Sequence, residues 1–216
     1  MNEYLFWACG GITSYLLGAV PFGFLIAKAV GVDIRTVGSG NIGATNVYRS
    51  ISKKLGLLTF LLDFLKGAVA STLIASLSWK FLAPEGAVAM PALFPLFCGV
   101  MSVVGHSWTC FLGFKGGKGV ATSAGMLVGV APWSFAIAFS VWLIILLTAR
   151  YMSVASCAGA AALAISVWPL YKAGGIWLPV LLTVLALLVI WRHRSNISRL
   201  IAGTEPRFSF SRKTKE

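Results

Sequence analysis

The chain has 216 residues, of which 58% are hydrophobic and 11% charged, and a mean hydropathy of +0.86. That balance excludes a soluble domain and calls for an integral membrane protein. The net charge of +12 raises nucleic acid as a partner, but the basic residues fall between and after apolar runs, which favours membrane orientation and anionic substrates and leaves no nucleic-acid role.

Residues 5–27 form the first predicted span, interrupted by Pro21 and by glycines of the kind membrane helices tolerate. No Lys or Arg precedes Lys28, so the basic leader of a cleaved signal is missing and this segment is expected to be retained. A polar loop follows, Gly38-Ser39-Gly40-Asn41-Ile42-Gly43-Ala44-Thr45-Asn46-Val47-Tyr48-Arg49. Its three glycines let backbone N–H groups turn inward, Ser39, Asn41, Thr45 and Asn46 add short donors, and Arg49 adds a planar cation. With no acid among them, these residues suit an oxyanion better than an ordinary connecting turn.

Residues 55–79 make a second span, on which Asp63 and Lys66 lie one turn apart and within pairing reach. Residues 92–111 make a third. Gly105-His106-Ser107 and then Phe114-Lys115-Gly116-Gly117-Lys118-Gly119 follow, a second glycine loop with two ammonium groups at the start of a helix, again suited to phosphate. It is not a nucleotide P-loop, because Leu112 stands where the first glycine belongs and Gly119 where Ser or Thr belongs. Residues 120–130 are apolar but amount to only about 16 Å of helix, the weakest of the spans. Residues 133–149, 154–170 and 176–191 complete a set of seven.

Placing the N-terminus outside puts fifteen of the eighteen Lys and Arg residues on one side, which the positive-inside bias identifies as the cytoplasm. The expected fold is therefore a single all-α membrane domain over 1–216, with seven transmembrane helices, a cytoplasmic C-terminus and every polar motif facing the cytoplasm. Cys9, Cys98, Cys110 and Cys157 are scattered singly, without the spacing of a disulfide framework or a zinc site, and no other metal or cofactor is called for. His106 and His193 are the only histidines, and the positions five residues on are Phe111 and Ser198. The His-x4-Asp pair with which many glycerolipid acyltransferases activate a hydroxyl is thus absent. His106 is expected to be structural or hydrogen-bonding. His193 and Asn196 share a helical face just past the last span, where a substrate contact competes with a lipid-headgroup patch.

Taken together, the Gly38–Asn46 run, Gly105-His106 with residues 114–122, and His193-Arg194-Ser195-Asn196-Ile197-Ser198-Arg199-Leu200 with Gly203-Thr204-Glu205 resemble the three motifs of the bacterial acyl-phosphate:glycerol-3-phosphate acyltransferases, in the same order. The resemblance implies an inner-membrane, multi-pass enzyme, monomeric or weakly homo-oligomeric. It would move a fatty acyl group from acyl phosphate to the sn-1 hydroxyl of glycerol 3-phosphate, giving lysophosphatidic acid and phosphate for phospholipid synthesis.

It also implies that Ser39 and the loop around Gly40, Asn41, Gly43, Thr45 and Asn46 meet the acyl phosphate, while Arg49, Lys118, Ser153, His193 and Asn196 surround glycerol 3-phosphate, with Lys115, Gly116 and Gly117 in the second loop. No catalytic residue is assigned, because an acyl phosphate is already activated and a substrate phosphate oxygen can take the hydroxyl's proton. Membrane lipid would flank the acyl tail. A membrane transporter of a phosphate ester or another anion is the competing reading, weakened by the one-sided motifs and the lack of an internal repeat. A basic membrane scaffold leaves the glycine runs unexplained.

Overall fold

The computed structural model describes residues 3–209; Arg212, Lys213 and Lys215 of the basic end, which enter the charge count, lie outside the described residues. The described chain is helical. Its helices are α1 (Glu3–Ala19), α2 (Phe22–Ala29), α3 (Ala44–Ser50), α4 (Lys53–Val69), α5 (Ala75–Leu82), α6 (Phe94–Ser107), α7 (Val120–Val130), α8 (Pro132–Ala149), α9 (Met152–Tyr171), α10 (Trp177–Arg192) and α11 (Arg194–Ile201). Single turns of 3-10 helix occur at Cys110–Leu112 and Lys172–Gly174.

Among the described residues, five stretches are long and apolar enough to cross a membrane: Glu3–Ala29, Lys53–Leu82, Phe94–Leu112, Pro132–Ala149 and Met152–Gly174. Trp177–Arg192 with Arg194–Ile201, bent by 49°, makes a sixth if counted as one. Helix α7 has eleven residues, the bounds expected for the weakest span, and is shorter than the other five. The chain divides into two compact units, residues 1–132 and 133–216.

In the first unit the predicted first span is two helices. Pro21 has no N–H to donate, so the helix stops at Ala19 and restarts at Phe22. The carbonyls released there are satisfied by side chains from elsewhere in the fold. Thr109 Oγ1 donates to the Ala19 carbonyl (2.6 Å), and Lys66 Nζ donates to the Val20 carbonyl (3.0 Å). Close packing between helices rests on small residues that let backbones touch. A side-chain carbon on Gly18 would strike the backbone of Ser102, one on Gly67 the Thr122 carbonyl, and one on Gly125 the Phe64 carbonyl. These contacts fix α1 against α6 and α4 against α7.

The second span carries one wide π turn, Ala70–Ile74, between α4 and α5. Ser71, on that turn, points its hydroxyl at the Met126 carbonyl of α7 at 3.4 Å. An aromatic cluster closes the other end of the unit, with Phe6 stacked on Phe94 at 4.0 Å and Trp7 edge-on to Phe94 at 5.0 Å.

In the second unit α9 packs on α10, and Trp168 Nε1 donates to Thr183 Oγ1 across them at 3.2 Å. The chain leaves α8 through Arg150, which holds a left-handed φ of 59°. The segment after α11 returns to that corner, where the Phe208 N–H donates to the Arg150 carbonyl and Arg207 Nε to the Tyr151 hydroxyl (3.1 Å). All four cysteines are free thiols.

Candidate active site

The first glycine loop is built around Asn46, which is buried and has both ends of its amide committed. Its Nδ2 donates to the carbonyls of Ile34 (3.2 Å), Val37 (3.0 Å) and Asn41 (2.9 Å). Its Oδ1 accepts from the Ser39 N–H (3.0 Å) and the Ser50 hydroxyl (3.2 Å). Gly38 closes this latch at φ 59°, where an added Cβ would collide with Asn46 Oδ1 and Ser50 Oγ.

Several amides expected to face a phosphate are therefore spent inside the loop. Besides Ser39, the Gly40 N–H donates to Val37 (3.0 Å) and the Gly43 N–H to Asn41 Oδ1 (2.9 Å). Asn46 and Asn41 shape the loop. Ser39, Gly40 and Arg49 lie exposed at its surface, with Thr45 half-buried. Beneath sits a small apolar floor of Ala27, Ile34, Ile42 and Val47.

The second loop rests on His106. The Gly117 N–H donates to the His106 carbonyl at 3.0 Å, so this amide too is engaged rather than open to a ligand. A side chain on Gly116 would strike the His106 carbonyl, and one on Gly117 would strike the imidazole at Nε2. These two glycines are thus demanded by packing onto one histidine. Gly119, at φ 81°, turns the chain into α7. Lys115 is exposed and Lys118 half-buried beside it.

Below this loop lies the predicted pair on the second span, now with a third member. Lys66 Nζ is 2.8 Å from Asp63 Oδ1, and His106 Nδ1 is 3.4 Å from the same oxygen, all three side chains being buried. The absence of an acid five residues from His106 did not leave it without one, because α4 supplies the carboxylate.

The second unit carries the third cluster. Glu205 is buried and accepts from Asn196 Nδ2 (2.7 Å), the Ser153 hydroxyl (2.9 Å) and Arg199 Nε (2.9 Å). Burial pushes its carboxyl up, but the hydrogen bonds from Asn196, Ser153 and Arg199, with the guanidinium charge, outweigh it and hold the group below its ordinary value. The structure thus brings Ser153 and Asn196 together through a carboxylate that spacing alone did not single out. Its only sequence signal was its place in the third motif.

His193, buried at the joint between α10 and α11, lies with Nδ1 2.8 Å from the Val189 carbonyl. A carbonyl can only accept, so Nδ1 is the donor in this contact, which fixes the orientation of the ring. Arg194 stacks on Trp191 at 4.2 Å.

These features define a helical membrane protein whose polar, cation-bearing clusters suit phosphate-bearing ligands. The family model for glycerol-3-phosphate acyltransferase matches residues 8–203. The curated glycerol-3-phosphate acyltransferase of Aquifex aeolicus (strain VF5) is 45% identical over 199 residues, covering 91% of this chain and 96% of the relative. Two crystal structures of PlsY (YgiH), an integral membrane glycerol 3-phosphate acyltransferase, are also similar. The glycerol 3-phosphate form matches at TM-score 0.81 and 43% identity, covering 94% of this chain and 96% of that one. The lysophosphatidic acid form matches at 0.76 and 42%, covering 94% and 95%. The chain belongs to the glycerol-3-phosphate acyltransferase family.

Proposed function

We propose that this enzyme transfers a fatty acyl group from acyl phosphate to the sn-1 hydroxyl of glycerol 3-phosphate. The hydroxyl oxygen attacks the acyl carbonyl, the bond from that carbon to the phosphate oxygen breaks, and lysophosphatidic acid and inorganic phosphate are released. The observation that carries the reading is the similarity, over nearly the whole chain, to an acyltransferase solved with glycerol 3-phosphate.

The residues support it in detail. Arg49 and Lys118 offer cations for a phosphate dianion, and Ser39 offers a hydroxyl at the exposed edge of the first loop. In the second unit Glu205 presents Ser153 and Asn196 in fixed orientations, and His193, oriented through Nδ1 by the Val189 carbonyl, is assigned to hydrogen-bond glycerol 3-phosphate. The transferred proton goes to a substrate phosphate oxygen, so no side chain need act as base. Lys115, Gly116, Gly117 and the loop residues Gly40, Asn41, Gly43, Thr45 and Asn46 shape or line the phosphate loops.

The reading further places one domain of seven spans in the bacterial inner membrane, with its N-terminus outside, its clusters on the cytoplasmic side and the acyl tail toward lipid, as a monomer or weak homo-oligomer. The test is phosphate release by purified protein supplied with acyl phosphate and glycerol 3-phosphate, with lysophosphatidic acid identified by mass. Release that does not require glycerol 3-phosphate would overturn the acyl-transfer reading, and a transporter would release none.

A further inference from the structure

The Asp63–His106 pair has the composition of a carboxylate–histidine dyad, yet it cannot act as one on substrate. His106 is 5% exposed, and the Nε2 edge that a base would use faces Gly117 so closely that a side-chain carbon there would collide with it. What the ring touches instead is the glycine loop that carries Lys115 and Lys118. The same histidine holds that loop a second time through its backbone, since its carbonyl accepts from the Gly117 N–H.

Asp63, for its part, is fixed from the other side. Lys66 neutralises it at 2.8 Å and also donates to the Val20 carbonyl freed by the Pro21 break. A buried pair with an extra hydrogen-bond partner is held in one geometry, which an isolated ion pair in an apolar span is not. The chain of contacts runs from the break in the first span, through Lys66 and Asp63, to His106 and Gly117, one residue before Lys118.

We propose that Asp63 and His106, with Lys66 as the fixed counter-ion, are positioning residues that set the height and orientation of the Lys115–Lys118 loop. The proposal rests on the reading that Lys118 meets the phosphate of glycerol 3-phosphate. A loop of glycines has little rigidity of its own, so a cation at its end is placed only as well as the surface beneath it.

The test uses the full-length enzyme in detergent or vesicles, with acyl phosphate and glycerol 3-phosphate and phosphate release as the readout. His106→Ala leaves the Asp63–Lys66 pair intact, and it should raise KM for glycerol 3-phosphate about tenfold, the coupling ordinary for residues in contact. KM for acyl phosphate and kcat should change by less than about threefold. General destabilisation would instead lower the active fraction, and with it kcat, without moving KM.

Gly117→Ala should raise the same KM, because the new methyl collides with the ring. In the double variant the methyl enters the space the ring has left, so the two effects should fall well short of multiplying. Where Lys118→Ala itself raises KM, an unchanged KM in His106→Ala, or fully multiplicative effects in the double variant, would overturn the positioning role. Amide exchange in the unliganded protein separates this from the substrate reading. His106→Ala should speed exchange at residues 115–118 by at least about tenfold. Faster exchange with no KM change in Lys118→Ala would sink the phosphate assignment and keep the positioning, whereas unchanged exchange would sink the positioning itself.

Discussion

Glu205 offers the sharpest test of the third cluster, through Glu205→Gln. The two side chains have nearly the same shape, so packing is kept while the charge is removed. Oε1 can still accept from Ser153 and Asn196, but both bonds lose their charge assistance, and the new NH2 group faces Arg199 Nε, donor against donor. Arg199 is partly exposed and can turn to solvent, so its share sits at the low end, about 1–2 kcal/mol. The two buried partners add about 1 kcal/mol between them. The total of about 2–3 kcal/mol predicts a fall in Tm of about 4–12 °C at neutral pH.

The pH dependence fixes the sign. The folded carboxyl is held below its unfolded value of about 4.3, so its stabilisation is present above that pH and is lost as pH falls through the lower folded value. Wild type and Glu205→Gln should therefore differ most above pH 5 or so and converge as the medium is acidified below about 4.3. Thermal unfolding of purified protein across pH, followed by intrinsic fluorescence, measures both quantities. Equal Tm values at pH 7, or two curves that stay parallel to the lowest accessible pH, would refute the network's energetic role.

Lys118→Ala and Arg49→Ala should each lose about tenfold to a hundredfold in kcat/KM for glycerol 3-phosphate while remaining folded, and near-normal turnover in both at limiting substrate would remove them from the site. His193→Asn should mainly raise KM if the ring only binds a hydroxyl. If it is the base, kcat should instead fall by about 10² or more and the imidazole limb of the pH–rate profile should vanish. Coenzyme A thioesters should not replace acyl phosphate as donor, which acyl transfer from a purified thioester, with acyl phosphate absent, would contradict. Gly67→Ala and Gly125→Ala should each sharply lower the yield of folded protein, since the added carbon meets a backbone carbonyl that cannot rotate away, and normal yields would contradict the close α4–α7 packing.

Residues close in sequence were the ones whose roles could be read from it. Asp63 and Lys66 are three apart on a helix, and their pairing follows from helical geometry. The two glycine loops announce themselves by composition, and α7 has the bounds its apolar run predicts. Asp63 with His106, and Ser153 with Glu205, are brought together only by the fold, across 43 and 52 positions. Nothing local marks them. Glycine was also over-read as a sign of open amides. At Gly40, Gly43 and Gly117 the N–H groups are taken up by neighbours, and Gly116 and Gly117 are required by the closeness of His106. The π turn at Ala70–Ile74 carries no composition signal: Ala-Ser-Thr-Leu-Ile reads like the rest of the span.

Helix α7 raises a matter of biogenesis. Segments enter a bilayer one after another as the chain emerges, and each is admitted largely on its own apolar length. Eleven residues fall well short of that length. What α7 has beside its own apolar length is the backbone contact that Gly67 and Gly125 make possible with α4, a surface that exists only once that earlier helix is in place. On the proposed reading of α7 as a span, the order of synthesis and the order of assembly are tied together: the short helix would come in as a passenger of α4, and a defect introduced at Gly67 would be felt first as a failure of a segment more than fifty residues downstream to stay in the membrane.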